Sequence, residues 1–352
     1  MGVGLMTGAP VAVVGAGSWG TALAVHLGRL GLAPRLWARD AALVELVRAK
    51  GENPWYLPGV FLPAALRVTS ELADALEGAG LVIVAVPSHG FDGVMEAVAR
   101  RLAAGTTVLS ATKGLEPESC RRMSEIASAR CPRSPIAALS GPTFAREVAL
   151  GRPTAAVIAS TDPDLARALQ RLLSSPEFRL YTNRDLLGVE IGGALKNVMA
   201  IATGISDGLG LGENARAALI TRGLAEITRL GVALGAAPAT FAGLAGIGDL
   251  VLTCTGSLSR NHALGLALAG GKTLEEARGE TRMVAEGDRA SLGATALARR
   301  AGVTLPICQE VAAVLFEGKT AGDALATLLQ REYRAEDEAL PATSAAAGRR
   351  NA

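Results

Sequence analysis

The chain has 352 residues, enough for two domains that each bury a core. Its formal net charge of +2 shows no basic excess, so composition argues against a nucleic-acid partner. Four scattered cysteines form no CxxC pair and only three histidines are present, which excludes a disulfide scaffold and predicts reduced thiols and no metal site. No run of about 20 uncharged apolar residues and no signal-peptide pattern is present, so we expect a cytoplasmic protein without membrane insertion.

Strands and helices alternate through the first half of the sequence. The predicted strands are 11–14, 34–38, 81–86, 106–110 and 136–139, and the predicted helices cover 18–30, 40–49, 71–78, 90–103 and 117–129. Residues 154–160 and 178–181 could extend the sheet, with a helix over 164–173 between them. The pattern predicts an α/β, Rossmann-type, doubly wound and mostly parallel sheet that binds ligands at the carboxyl ends of its strands.

The second half has a different pattern. From about residue 187 the β-branched runs stop, and helices of period 3.6 follow one another to about residue 331. We therefore expect a dinucleotide-binding domain over 1–189, an all-helical substrate domain over 190–334 and a frayed tail over 335–352. The apolar helical domain is compatible with a homodimer.

The glycine-rich stretch at 11–20 predicts a dinucleotide site. Four apolar residues form a short strand, and Gly15, Gly17 and Gly20 follow with the G-x-G-x-x-G spacing at the start of a helix near Ser18. Gly15 permits the turn, Gly17 lets backbone N–H groups approach a pyrophosphate, and Gly20 lets the helix lie close to the strand. The alternative is a similar turn that holds no nucleotide.

The end of the second predicted strand bears on the choice between NAD and NADP. Arg39 could stack on adenine and pair with a phosphate, or could be a solvated surface arginine, whereas Asp40 is suited to cap the next helix. The sequence leaves the cofactor preference open. His89, which follows Val-Pro-Ser at 86–88, is either a proton shuttle or, more simply, a loop residue.

Two further strand ends carry candidate site residues. Lys113 follows the strand 106–110, at the edge where a parallel sheet faces its ligand, although a surface-loop lysine is the alternative. In the segment 140–145, Gly141 exposes backbone and Pro142 suits the first turn of a helix. Free N–H groups there could bind an anion or a hydroxylated substrate.

Lys196 lies in an unusual part of the helical half. If the segment is a helix, Gly192 and Gly193 lie one turn before it on the same face. Each glycine costs about 1 kcal/mol in a helix interior, so we expect a close approach by a ligand or by the facing domain. Apolar neighbours would lower the pKa of Lys196 towards a range useful for proton transfer. The alternative is a lysine that extends to solvent from an interdomain helix.

A second cluster follows at 245–262. Ser259 is a natural N-cap, and Arg260 and Asn261 would then lie in the first turn of a helix. Such a helix start is suited to a phosphate group. Asp249 could orient a substrate hydroxyl or Lys196.

Together these segments resemble the bacterial NAD(P)-dependent glycerol-3-phosphate dehydrogenases over about residues 10–332. The matching segments are Gly-Ala-Gly-Ser-Trp-Gly at 15–20, Asn53 with Tyr-Leu-Pro at 56–58, Val-Pro-Ser at 86–88, Ala-Thr-Lys-Gly-Leu-Glu at 111–116, Ser-Gly-Pro-Thr-Phe-Ala at 140–145, Leu-Lys-Asn at 195–197, Gly-Ile-Gly-Asp-Leu at 246–250 and Ser-Arg-Asn at 259–261. The sequence departs from the family pattern after Glu286-Gly287, where Asp-Arg-Ala replaces a stretch that contains threonine.

The resemblance implies reduction of dihydroxyacetone phosphate to sn-glycerol 3-phosphate with NADH or NADPH, for phospholipid synthesis. It also implies a C-terminal domain of the 6-phosphogluconate dehydrogenase type and Lys196 as the residue that transfers the proton. By similarity the residues that contact the cofactor are Ser18, Trp19, Arg39, Lys113, Ala145, Arg260, Val284 and Glu286, in addition to the glycines. The substrate would be held by Lys113, Gly141, Thr143, Lys196, Asp249, Ser259, Arg260 and Asn261.

Two other functions are compatible with this domain plan. One is a different NADP-dependent hydroxyacid or ketoacid reductase, such as a ketopantoate type, which would bind a carboxylate substrate. The other is a dinucleotide sensor without catalysis, which would have little reason to carry Lys113, Lys196 and the Ser-Arg-Asn helix start together.

Overall fold

The structure is a computed structural model that describes residues 9–279 and 284–332. Its first part alternates strands and helices, in the order β1 Val11–Val14, α1 Ser18–Arg29, β2 Arg35–Trp37, α2 Ala41–Lys50, β3 Glu52–Asn53, β4 Leu57–Phe61, β5 Arg67–Thr69, α3 Leu72–Leu76, β6 Leu81–Val84, α4 Ser88–Ala99, β7 Thr107–Ser110, α5 Met123–Arg130, β8 Ile136–Ser140, α6 Ala145–Ala149, β9 Thr154–Ala159, α7 Pro163–Leu173 and β10 Phe178–Asn183. The predicted tail over 335–352 lies outside the described residues.

The second part consists of helices. They are α8 Leu186–Gly208, α9 Gly212–Ala233, α10 Pro238–Phe241, a π-helical turn Leu244–Gly248, α11 Asp249–Thr255, α12 Arg260–Ala269, α13 Leu274–Gly279, α14 Gly287–Ala301, α15 Pro306–Phe316 and α16 Ala321–Leu329. The boundary predicted near residue 189 therefore falls inside the first turn of α8.

The first part forms an eight-stranded sheet of order β10-β9-β8-β7-β6-β1-β2-β5. All neighbouring strands are parallel except β8 and β9, so the predicted mostly parallel sheet is confirmed. Helices cover both faces, which explains why the central strands are apolar throughout: all four residues of β1 and of β6 are buried. The carboxyl ends of β1, β6 and β7 meet at one edge, beside the helical part.

The sequence-based prediction missed three short strands and misplaced several boundaries. Strands β3, β4 and β5 are two to five residues long, and β4 contains Pro58 and Gly59, so they show no apolar alternation. Helix α5 begins at Met123 rather than at residue 117, and α6 begins at Ala145 rather than at Pro142. His89 lies in the first turn of α4 and not in a loop.

Helix α8 forms the centre of the second part. Among residues 9–279 and 284–332, it is one of two segments, with Pro238–Thr255, that have the length and mean hydropathy of a membrane span. In α8, 89% of the 18-residue window is buried inside the protein, as expected of a core helix. Pro238–Thr255 is not one regular helix, because Gly246 has φ −103° and ψ −105°.

A buried ion pair joins α8 to the sheet-bearing part. The Glu190 carboxylate accepts hydrogen bonds from the Ser124 backbone N–H at 2.8 Å, the Ser124 hydroxyl at 2.5 Å and the Arg122 guanidinium at 2.7 Å. Burial raises the pKa of Glu190, and the Arg122 charge opposes that shift. These contacts fix α8, and with it Lys196, against the start of α5.

We expect Glu190→Ala to lower the free energy of unfolding by about 3 kcal/mol, because it leaves the buried Ser124 N–H and hydroxyl without their acceptor and removes one of the two carboxylates that bind Arg122. Chemical denaturation monitored by circular dichroism measures this change. The matched control is Glu45→Ala, which removes the exposed partner of Arg48 and should change the free energy by at most about 0.5 kcal/mol. Equal small changes in both variants would contradict a structural role for Glu190.

Candidate functional site

The glycine-rich turn connects β1 to α1. Gly15 has a φ of +115°, and a Cβ on it would lie 2.5 Å from the Ala85 carbonyl oxygen. A Cβ on Gly20 would lie 1.8 Å from the Gly15 carbonyl oxygen, so α1 packs directly against the turn. A Cβ on Gly17 would meet no atom within 4 Å. Packing therefore requires the first and third glycines, whereas the space beside Gly17 is open to a ligand.

The first turn of α1 faces this open space. Ser18 and Trp19 are both half-buried, and Trp19 packs against apolar residues of the sheet-bearing part. The Trp19 Nε1 atom is buried and has no hydrogen-bond partner among the described residues. A buried indole donor normally finds a partner, so this N–H is a candidate contact for a bound molecule.

Asn53 supports the turn from β3, a role that sequence reasoning did not assign to it. Its fully buried amide nitrogen donates to the Ala16 carbonyl oxygen and to the Thr21 hydroxyl, both at 2.9 Å. The side chain thereby fixes the turn that carries Gly15 and Gly17.

Lys113, Lys196 and Asp249 form one cluster. The Lys196 Nζ donates to one Asp249 oxygen at 2.5 Å, and the Lys113 Nζ donates to the other at 2.8 Å. The Lys113 Nζ also donates to the Gly141 carbonyl oxygen at 2.7 Å and to the Thr143 hydroxyl at 3.1 Å. Five residues that sequence analysis selected separately are therefore in contact.

The electrostatics of the cluster favour proton transfer at Lys196. Burial lowers the pKa of Lys196 to about 8; the Asp249 carboxylate opposes this shift and the Lys113 charge adds to it. The Asp249 side chain is fully buried and faces two amines, so one carboxylate balances two potential positive charges. A lysine with a pKa near neutral pH can both hold and release a proton under physiological conditions.

Thr253 is a member of this cluster that sequence reasoning missed. Its hydroxyl accepts from the Lys196 Nζ at 2.8 Å and donates to the Asp249 backbone carbonyl at 2.6 Å. The signal was present, because Thr253 follows Asp249 by four residues and both lie on one face of α11.

The two glycines before Lys196 allow close packing, as predicted. A Cβ on Gly192 would lie 2.5 Å from the Ala245 carbonyl oxygen in the π-helical turn, and one on Gly193 would lie 2.7 Å from the Ser140 Oγ. Side chains at these positions would separate α8 from β8 and from the π-helical turn. The turn leads directly into Asp249, so this packing brings Asp249 to Lys196.

Ser259, Arg260 and Asn261 start α12. The Ser259 Oγ accepts from the His262 backbone N–H at 3.2 Å, which confirms the predicted N-cap. Arg260 is exposed at the first helical position. The Asn261 side chain donates to the Asn197 Oδ1 and accepts from the Gly287 backbone N–H, both at 2.9 Å. Asn197 follows Lys196 directly, so the start of α12 lies beside the lysine cluster.

Glu286 connects the helical part to the sheet edge. Its carboxylate accepts from the Ser88 backbone N–H at 3.0 Å and from the Ser88 hydroxyl at 2.5 Å. Burial raises the pKa of Glu286, and the bonds from Ser88 and the Arg260 charge oppose that shift. Glu286 thus lies between the β6 end and the start of α12.

The predicted cofactor residues Val284, Ala145 and Arg39 make none of the polar contacts described above. Val284 and Ala145 are half-buried, and Arg39 is exposed after β2. Asp40 caps α2 by accepting from the Ala42 and Leu43 backbone N–H groups. Among residues 9–279 and 284–332, no group of three His, Cys, Asp or Glu side chains is placed to hold a metal ion.

Family models match both parts of the chain. The model of the NAD-dependent glycerol-3-phosphate dehydrogenase N-terminus matches residues 10–166, and that of the C-terminus matches residues 185–326. A relative from Geobacter sulfurreducens named glycerol-3-phosphate dehydrogenase [NAD(P)+] is 52% identical over 329 residues, which are 93% of this chain and 98% of the relative. A relative of the same name from Moorella thermoacetica is 48% identical over 93% of this chain and 98% of its own length.

A solved structure has the same architecture. The crystal structure of glycerol-3-phosphate dehydrogenase from Coxiella burnetii superposes with a TM-score of 0.89 at 41% sequence identity. The match covers 92% of this chain and 99% of that one. The fold of both parts is thus shared over nearly the whole length, and the chain belongs to the NAD-dependent glycerol-3-phosphate dehydrogenase family.

Proposed function

We propose that this chain reversibly reduces dihydroxyacetone phosphate to sn-glycerol 3-phosphate with NADH or NADPH. The observation that carries the proposal is the buried cluster in which one carboxylate, Asp249, holds the amines of Lys113 and Lys196. The names of its relatives support the reaction. In a cell the product would supply phospholipid synthesis, and we propose a cytoplasmic location for the enzyme.

The residues around the glycine-rich turn fit a dinucleotide. Open space beside Gly17 and the N-terminus of α1 suit the pyrophosphate, and the Trp19 indole N–H, which has no partner among the described residues, suits a neighbouring group of the cofactor. When bound, the nicotinamide supplies the hydride. The proposed cofactor contacts are Gly15, Gly17, Ser18, Trp19, Gly20, Arg39, Lys113, Ala145, Arg260, Val284 and Glu286.

Lys196 is the proposed proton donor in the reduction. The carbonyl oxygen of the substrate becomes an alkoxide as the carbon is reduced, and it needs both a proton and nearby positive charge. The protonated Lys196 amine supplies both, and Asp249 holds it in place. In the reverse direction the neutral amine accepts the proton from the alcohol.

The substrate phosphate is the proposed ligand of the α12 start. Ser259 and Asn261 are buried and fixed by hydrogen bonds, and the exposed Arg260 provides a guanidinium at the N-terminal end of the helix. Gly141 and Thr143, held by Lys113, complete the proposed substrate set. Binding energy from the phosphate would position the carbonyl beside Lys196.

A spectrophotometric assay tests the function. We expect NADH or NADPH to be oxidised with dihydroxyacetone phosphate, with no comparable rate with ketopantoate or other 2-ketoacids. Turnover of a ketoacid instead would identify the alternative reductase. Cofactor binding without turnover of any of these substrates would identify a dinucleotide sensor.

The pH dependence should report the pKa of Lys196, which is about 8. Reduction requires the protonated amine, so its kcat/KM should be constant well below pH 8, decline around pH 8 and fall about tenfold per pH unit well above it. Oxidation requires the neutral amine, so its kcat/KM should rise up to about pH 8 and then level off. Profiles measured in both directions check the sign, and a reduction rate that increases through pH 8 would contradict it.

We also propose that the chain forms a homodimer through its helical part. The support is a groove of about 640 Å³ between α8, α9, α15 and α16, lined mainly by apolar side chains. Leu211 and Leu329, at its rim, are exposed. Light scattering after size-exclusion chromatography tests the dimer, and a monomer at micromolar concentration would contradict it.

A further inference from the structure

Two arginines and a histidine form a group apart from the lysine cluster, where the helical part meets the ends of β2 and β6. Arg289, in the first turn of α14, contacts the His89 Nδ1 atom in the first turn of α4 through its guanidinium. Arg39 follows β2, and its charge also acts on His89. The site therefore combines residues from three elements that are distant in sequence.

The positive charge in this group is incompletely balanced. Two carboxylates lie nearby, and both are already bonded: Glu286 accepts from Ser88, and the buried Asp288 accepts from the Arg278 guanidinium and the Arg289 backbone N–H. Within the described ranges, no carboxylate lies at ion-pair distance from the guanidinium of Arg39 or Arg289. Burial lowers the pKa of His89 and the charge of Arg289 lowers it further; the Asp288 charge opposes this shift, and the charges of Arg39 and Arg278 add to it. An anion placed here would be attracted by two arginines that have no ionic partner among the described residues.

The position of the group indicates which anion it suits. In a doubly wound sheet, the residue after the second strand faces the adenosine ribose of the dinucleotide, where an arginine can accept a 2′-phosphate. The pyrophosphate is expected at the start of α1, and the substrate phosphate at the start of α12. Both of those places are formed by other residues.

We propose that Arg39, His89 and Arg289 together bind the 2′-phosphate of NADP, so that the helical part supplies a determinant of cofactor preference. This inference rests on the proposed function, because it assigns one end of the same cofactor site. NAD has a hydroxyl at this position and leaves both guanidinium groups without an ionic partner. The enzyme therefore binds NADPH more tightly than NADH.

Titration of nicotinamide fluorescence, with no triose present, tests the assignment. We expect Arg289→Gln to raise the Kd for NADPH about tenfold or more, as for loss of a hydrogen bond to a charged group, and to change the Kd for NADH less than about twofold. Arg39→Gln should act in the same way. Arg299→Gln is the matched control, since Arg299 is exposed on the same helix.

Competition with two nucleotides provides a second measurement. Adenosine 2′-monophosphate should displace NADPH from the unaltered protein at a lower concentration than adenosine 5′-monophosphate, and Arg289→Gln should remove that difference. Equal weakening of NADPH and NADH in Arg289→Gln, or no weakening of either, would overturn the assignment. Because neither measurement uses the substrate, failure of the dehydrogenase assay with intact selective NADPH binding would overturn only the proposed reaction.

Discussion

Replacing Lys196 by alanine should lower kcat/KM for dihydroxyacetone phosphate by about 10⁴-fold or more. The expected loss combines a general acid, typically worth 10²- to 10⁴-fold, with a positive charge beside the developing alkoxide, worth about another 10²-fold. The fold should be retained, because the change removes a desolvated amine whose burial lowers its pKa to about 8. Steady-state kinetics and circular dichroism on the same preparation measure both effects.

Lys50→Ala is the control for that experiment. Lys50 is exposed in the last turn of α2, far along the chain from the lysine cluster, and its replacement should leave kcat/KM within about twofold. The cofactor Kd should change little in Lys196→Ala, because the residue is assigned to the substrate and the proton. A Lys196→Ala protein with nearly full activity would remove this residue from the mechanism.

Asp249→Asn should lower kcat/KM by about 10²- to 10³-fold, a typical loss for one preorganised electrostatic contact. An amide has the size of the carboxylate but cannot balance the charges of Lys113 and Lys196. Because the carboxylate opposes the lowering of the Lys196 pKa, its removal should shift that pKa below about 8. The fall in the reduction rate should then begin at a lower pH.

This shift in the pH profile distinguishes a positioning role of Asp249 from a general loss of structure in the variant. A variant that was merely misfolded would lose activity at every pH, whereas Asp249→Asn should recover part of its reduction rate as the pH falls. Asp164→Asn is the control, since Asp164 is exposed and pairs with Arg167 on the surface of α7. A pH profile of Asp249→Asn identical in shape to that of the unaltered enzyme would contradict the proposed coupling.

The sequence predicted the parallel sheet well because its signals are local. Buried strands such as β1 are apolar runs, and Asp40 and Ser259 cap helices through backbone groups within a few residues. The strands β3 and β5 were missed for the complementary reason. They are too short to show a period, and β5 exists because the edge of β2 is available for pairing.

In the candidate site, too, local features were predicted and contacts between distant segments were not. The residue types of Lys113, Lys196 and Asp249, and the glycines before Lys196, were recognisable from the sequence as groups suited to substrate binding, proton transfer and close packing. Their arrangement was not, since Asp249 lies 53 residues after Lys196 and 136 after Lys113. The role of Asn53 and the pairing of Ser88 with Glu286 likewise depend on contacts between distant segments.

The sequence by itself determined the order of strands and helices, the glycine-rich turn and the kinds of side chain available for catalysis, because these depend on spacing along the chain. Only the tertiary structure decided that one buried carboxylate serves two lysines and that the pKa of Lys196 is lowered to about 8. Burial and charge depend on what packs around a group from every direction. For Lys196 those neighbours are Asp249 and Thr253 of α11 and Lys113 of the segment after β7, which the sheet and α8 bring together.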